Sequence, residues 1–200
     1  MLLHAFYNSS YIGDVLLVRL TGQNKVTRYV VEDDLCVLYH NDEVIGYNLM
    51  NASKYITHLK EGQIKITPEF VDELNKVMEA HQQNLVESDY DDHIKVAKVV
   101  GIEEHPDSDH MHICQVDVGD EVLQIVCGAS NVALNQIVVA ALDKAVMPSG
   151  LVIRPSKLRG VESAGMLCSA RELGIAGAPL KRGILVLDEN QYHVGESFWK

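Results

Sequence analysis

The segment Lys157-Leu158-Arg159-Gly160-Val161-Glu162-Ser163-Ala164-Gly165-Met166-Leu167-Cys168-Ser169 holds side chains suited to gripping a polyanion. Lys157 and Arg159 are separated by one residue. Along an extended backbone they project to the same side, where both can meet phosphates. Ser163 brings a hydroxyl able to reach a phosphate or a ribose 2′-OH. Met166 brings a flexible, polarisable surface that packs against a base or a sugar. Ser169 to Leu173 reads as one helical turn, stopped by Gly174. The residues alone leave a plainer alternative open, in which Lys157 and Arg159 are a solvated edge and Met166 is core.

Two further loops carry residues of chemical interest. His105-Pro106-Asp107-Ser108-Asp109-His110-Met111-His112 gathers histidines and aspartates, which raises the question of a metal. The spacing follows no defined ligand pattern. Pro106 fixes its own backbone, and Asp107 and Asp109 can cap amides, so a tight turn is expected. Cys127-Gly128-Ala129-Ser130-Asn131 follows an apolar run. A nucleophilic Cys127 would need a histidine beside it. A phosphate-cradling loop would want more glycines than Gly128 and a nearby cation. All four cysteines (Cys36, Cys114, Cys127, Cys168) sit in apolar runs without paired spacing, as buried free thiols do.

These loops need a scaffold, and the apolar pattern predicts a mainly β one. In the second half, strands are expected at Ile94 to Ile102, Ile113 to Val118, Val122 to Cys127 and Ile137 to Leu142. Shorter ones are expected at Leu151 to Ile153 and Ile184 to Leu187. Such regular short strands make a small barrel or sandwich. In the first half, strands are expected at Val15 to Leu20, Val26 to Val31, Leu35 to Tyr39 and Glu43 to Leu49. A helix follows, with Thr67 as N-cap and Pro68 at its first position. Phe70, Val71, Leu74, Val77 and Met78 form its core-facing stripe. The polar stretch Glu87 to His93 reads as a linker, giving domains at 1–88 and 89–200. His40, Asp42 and Glu43 lie where a turn between two strands explains them.

Composition narrows the function classes. The chain has 200 residues, 47% of them apolar, and a net charge of −11. Its start has no basic, long-apolar leader, and no run approaches the roughly 18 residues of a membrane span. A cytoplasmic location is expected. The negative total hides an asymmetry. From Asp91 to Asp143 there are two basic and ten acidic residues. From Lys144 to Arg182 there are seven basic residues (Lys144, Arg154, Lys157, Arg159, Arg171, Lys181, Arg182) against two acidic ones. One positive segment on an acidic chain suits a local phosphate-binding face and disfavours indiscriminate binding to polyanions.

Taken in order, these residues carry a resemblance. His105-Pro106 with Asp107 and Asp109, Val116-Asp117-Val118-Gly119, Ile125-Val126-Cys127-Gly128-Ala129-Ser130-Asn131, and Lys157-Leu158-Arg159-Gly160 through Ser163, Gly165-Met166-Leu167-Cys168-Ser169 and Glu172-Leu173-Gly174 resemble the structure-specific tRNA-binding domain. That domain occurs in the β subunit of bacterial phenylalanyl-tRNA synthetase, at the end of some methionyl- and tyrosyl-tRNA synthetases, and as free-standing proteins. With its N-terminal part, the chain is similar to tRNA-binding proteins of the YtpR type. At Ser108, Asp109 and His110 it departs from the family's usual Ala then Asp-Lys.

The resemblance implies an OB-fold β-barrel in the second half, beside a smaller N-terminal α+β domain. It implies recognition of tRNA shape with little sequence reading. Ser163 and Met166 are the implied RNA contacts, with Asn131, Lys157, Arg159, Ser169 and Arg154 in support. The implied partners are tRNA, an aminoacyl-tRNA synthetase as a second candidate, and a further copy of the chain as a homodimer. No cofactor, metal or membrane is expected, and no pair of residues suggests catalysis. Two other readings stand beside it: an OB-fold module for single-stranded nucleic acid or a protein partner, and an enzyme whose catalytic part is the N-terminal domain.

Overall fold

The computed structural model describes residues 2–88, 90–91, 93–179 and 183–199. The chain divides into two compact units, Met1–Tyr90 and Asp91–Lys200.

Unit 1 contains β1 (His4–Tyr7), the short α1 (Ser9–Ile12), β2 (Val15–Arg19), β3 (Arg28–Glu32), β4 (Leu35–His40), β5 (Glu43–Met50), β6 (Gly62–Ile64) and α2 (Pro68–Ala80). Its strands form one antiparallel sheet in the order β3-β4-β5-β2-β1-β6. Asp33 and Asn41 hold φ of 49° and 53° in the tight turns of the β3-β4 and β4-β5 hairpins, a conformation that Asp and Asn tolerate better than other side chains. The Thr67 hydroxyl accepts from the Phe70 amide at 3.3 Å, with Pro68 at the first helical position. The expected stripe Phe70, Val71, Leu74, Val77 and Met78 is buried against Leu16, Leu35, Tyr47 and Leu49 of the sheet. The expected Val26 to Val31 strand is shifted to β3, while β1 and β6 had too few residues to give a periodic signal. His40 closes β4, and its Nδ1 meets the Lys25 carbonyl at 2.8 Å, so His40, Asp42 and Glu43 belong to a hairpin turn.

Unit 2 contains β7 (Ile94–Glu104), β8 (His112–Asp117), β9 (Val122–Cys127), β10 (Ile137–Leu142), β11 (Ser156–Leu158), β12 (Val161–Ser163), β13 (Gly165–Leu167) and β14 (Val186–Leu187). The sheet runs β13-β10-β7-β8-β9, with β14 also on β10. β7 serves both halves. Its first part pairs with β10, its second with β8, and a bulge between Val99 and Gly101 bends it at the change-over. The bend brings the β9 edge round to the chain entering β13, where the Ala164 amide donates to the Gln124 carbonyl at 2.9 Å. No continuous ladder joins these edges among the described residues, so the barrel is open there.

β10 is buried on both faces, and its alternation divides the core. Val138 and Ala140 face Val99, Val116, Ile125 and Leu167. Val139 and Ala141 face Met147, Ile153, Cys168 and Leu173. The expected strand at Leu151 to Ile153 is reduced to a single bridge between Val146 and Val152. Pro148, Gly150 and Pro155 around it leave little room for a ladder. No described helix is long and apolar enough to cross a membrane.

Candidate nucleic-acid interface

The three loops singled out in the sequence converge on one side of unit 2. β11 and β12 form a hairpin whose turn is Arg159-Gly160, at φ 45° and 86°. Positive φ at both central positions is the two-residue turn that matches strand twist. This overturns the expectation that Lys157 and Arg159 project together. Lys157 lies on β11 and pairs with Glu162 across the hairpin at 3.0 Å. Arg159 sits in the turn and donates from Nη1 to the Asp107 carbonyl at 2.8 Å.

The His105 loop is the hairpin's seat. His105 is 4% exposed. Its Nδ1 accepts from the Asp107 amide at 3.1 Å, which leaves Nε2–H to donate to the Leu158 carbonyl at 3.0 Å. Arg159 and His105 therefore hold the tip of the hairpin from two sides. No group of three or more His, Cys, Asp or Glu that could hold a metal occurs among the described residues.

Ser163 differs most from its expected role. It is 2% exposed. Its hydroxyl accepts from the Val126 amide at 3.0 Å and donates to the Gly165 carbonyl at 2.9 Å. It is a rivet between β9 and β13, and its polar capacity is spent inside the protein. Immediately after it, Gly165 lies so close to β10 that a Cβ would stand 2.6 Å from the Ala141 carbonyl oxygen. The rivet and the glycine together set the height of β13, and so the position of Met166.

Met166 is half-buried and lines an open cavity of about 620 Å³. Asn131, Ser169, Arg171 and Glu172 line it too, with Gly183–Val186 forming one wall. Asn131 ties that wall to the loop after β9. Its side chain donates to the Ile184 carbonyl at 3.0 Å and accepts from the Ile184 amide at 2.9 Å, as a strand neighbour would. Ser169 and Glu172 form a capping box. The Ser169 amide donates to Glu172 Oε2 at 2.7 Å, and the Glu172 amide donates to the Ser169 hydroxyl at 3.2 Å. The expected single turn follows, with Leu173 N donating to the Ser169 carbonyl. Asn131 and Ser169 thus shape the cavity through their own hydrogen bonds.

Arg171 was named in the sequence only as one of the seven basic residues of the segment from Lys144 to Arg182, and not as an RNA contact. The capping box places it on an exposed turn at the cavity, and it makes no ion pair among the described residues. The Ser-x-x-Glu spacing was the available signal. Arg154 pairs with Asp143 at 3.0 Å, both half-exposed. Exposed pairs such as this and Lys157–Glu162 contribute about 0–1 kcal/mol, so an incoming phosphate can displace either carboxylate. Lys181 and Arg182 lie outside the described residues.

Cys127 also borders the cavity but is buried. Burial raises its thiol above the ordinary range, and its sulfur accepts from the Ala129 amide at 3.5 Å. Burial pushes Cys114 and Cys168 up to about 12. A nucleophile needs the opposite shift.

The comparisons divide the chain as its two units do. The family described as "Putative tRNA binding domain" matches residues 94–196. A "Domain of unknown function (DUF4479)" matches residues 23–85. The "Putative tRNA-binding protein YtpR" of Bacillus subtilis is 42% identical over 204 residues, covering 98% of this chain and 99% of that protein. The phenylalanine–tRNA ligase beta subunit of Wolinella succinogenes is 50% identical over 99 residues, which are 50% of this chain and 12% of the subunit. That of Campylobacter jejuni strain RM1221 is 54% identical over 86 residues, 43% of this chain and 11% of the subunit. With one family match spanning 94–196 and one relative matched from end to end, this chain belongs to the tRNA-binding-domain family, in the two-part form that YtpR represents.

Proposed function

We propose that the chain binds folded tRNA through unit 2, acting in trans and without catalysing a reaction. The observation that carries this reading is the cavity. A half-buried Met166, an Arg171 without an ion pair among the described residues and the tethered Asn131 border one concave surface. A concave, partly apolar face bordered by the Arg171 cation suits a sugar-phosphate backbone and its 2′-hydroxyls better than a base stack. No aromatic side chain is among its described lining. Tyr192, Phe198 and Trp199 pack on one another instead. A single-strand platform needs exposed rings along the groove, and this favours tRNA over the single-strand alternative.

In this account Ser163 acts through others: it fixes β13 and thereby Met166. Lys157, Arg159 and Arg154, which lie outside the cavity lining, supply further phosphate contacts, the first and last by exchanging a carboxylate for a phosphate. An aminoacyl-tRNA synthetase remains a candidate second partner. The site sits in a cytoplasmic setting where tRNA is abundant. The test is hydrogen exchange with and without tRNA. Slower exchange at 127–131, 166–172 and 183–186 supports the site, whereas protection confined to unit 1 would move it elsewhere.

A further inference from the structure

Strand β3 is an edge strand with unusual exposure. All of Arg28–Glu32 is exposed, although three of its residues are apolar: Tyr29 is 66% exposed, Val30 42% and Val31 54%. Protein edges are normally protected by inward charges, proline or a covering element. β3 has β4 on one side and no strand on the other among the described residues.

The register identifies what the open side offers. Glu32 and Leu35 close the β3-β4 hairpin across the two-residue turn Asp33-Asp34. The closing pair of such a hairpin is hydrogen-bonded, and bonding alternates along an antiparallel ladder. Glu32 and Val30 therefore spend their main-chain groups on β4. Tyr29 and Val31 turn theirs outward.

We propose that β3 pairs antiparallel with β3 of a second copy of this chain, centred on Val30. The sequence Arg28-Tyr29-Val30-Val31-Glu32 is complementary to itself in that register. Tyr29 meets the partner's Val31 in a pair that exchanges both main-chain bonds, and Val31 meets the partner's Tyr29 in the same way. Val30 meets its own copy across the two-fold axis. Arg28 meets the partner's Glu32 at both ends, in non-bonded pairs where side chains approach more closely. Aromatic with β-branched and opposite-charge pairs are the favourable cross-strand combinations. A register moved by two residues leaves the charges unmatched, and an isologous contact of this kind closes as a dimer rather than a fibre. Arg28 lies over the Tyr39 ring of β4 at 3.8 Å, and the proposed pairing turns its guanidinium from that ring to the partner's Glu32. Two copies carry two tRNA sites on one particle, which raises avidity without any new RNA contact.

Sedimentation of the full chain over a concentration series tests the pairing. The wild type dimerises. Arg28→Glu and Glu32→Arg each set like charges opposite one another at both ends, and each weakens the dimer about tenfold or more. An equimolar mixture of these two variants restores it, because every end of the mixed pair is again complementary. A wild type that stays monomeric at high concentration overturns the proposal. So does a dimer indifferent to either change, or a mixture that fails to recover while both variants keep the wild-type melting temperature.

Discussion

In the proposed account Ser163 serves the site without touching the RNA, through its hydrogen bonds to Val126 and Gly165. Removing its hydroxyl leaves the buried Val126 amide without a partner, which costs about 1–3 kcal/mol. Ser163→Ala is therefore expected to lower the denaturant midpoint of unit 2. Its effect on tRNA affinity should shrink at low temperature, where the strand stays in place. Arg171→Ala should behave oppositely, leaving stability within about 0.5 kcal/mol and reducing the salt slope of RNA binding by about one. The thiols give a separate check. Cys114 and Cys168, pushed up to about 12 by burial, remain protonated at neutral pH. A thiol reagent should label them only as fast as the chain unfolds; rapid labelling of the native protein would contradict their burial. At this scale the sequence was partly legible. It marked Ser163 and Met166 as important, but exposure and hydrogen-bond partners depend on strands distant in the chain, so it could not separate the rivet from the contact.

At the scale of elements, the two units are held by different means. In unit 1 the α2 stripe covers the sheet, and Leu74 is fully buried. Leu74→Ala is expected to cost about 2–5 kcal/mol, read from equilibrium unfolding. Carboxylates contribute as well. The Ser53 hydroxyl beside Asp14 and the Thr57 hydroxyl beside Glu73 hold both below the usual carboxylate range. A depressed folded-state value stabilises above the unfolded value and is lost as pH falls through the folded one. Unit 1 should thus hold constant stability down to about pH 5 and weaken below about pH 4, less steeply in an Asp14→Asn variant. The helix and most long strands were legible because period and capping residues lie within one window. β1, β6 and β13 were not, since strands of a few residues exist only through their partners, whereas β14 falls inside the expected Ile184 to Leu187 strand. The Arg159 turn was missed for the same reason: alternation assumes an extended chain, and the Arg-Gly turn interrupts it.

Over the whole molecule, an acidic chain carries a locally basic segment. Counterion release makes RNA affinity fall as salt rises, and the surrounding negative charge opposes loosely held polyanions. The family resemblance was legible because several loops matched in order across half the chain; composition alone argued the other way. The role of the first unit was not legible, because its apolar content specifies folding and not a ligand. The most direct measurement is affinity for a folded tRNA and for a length-matched unstructured RNA over a salt series, for wild type and an Arg171→Ala/Met166→Ala variant. The account predicts that wild type prefers the tRNA, weakens with salt, and loses the preference in the variant while keeping its fold. Equal affinity for both RNAs, or a variant that retains the preference, would contradict it.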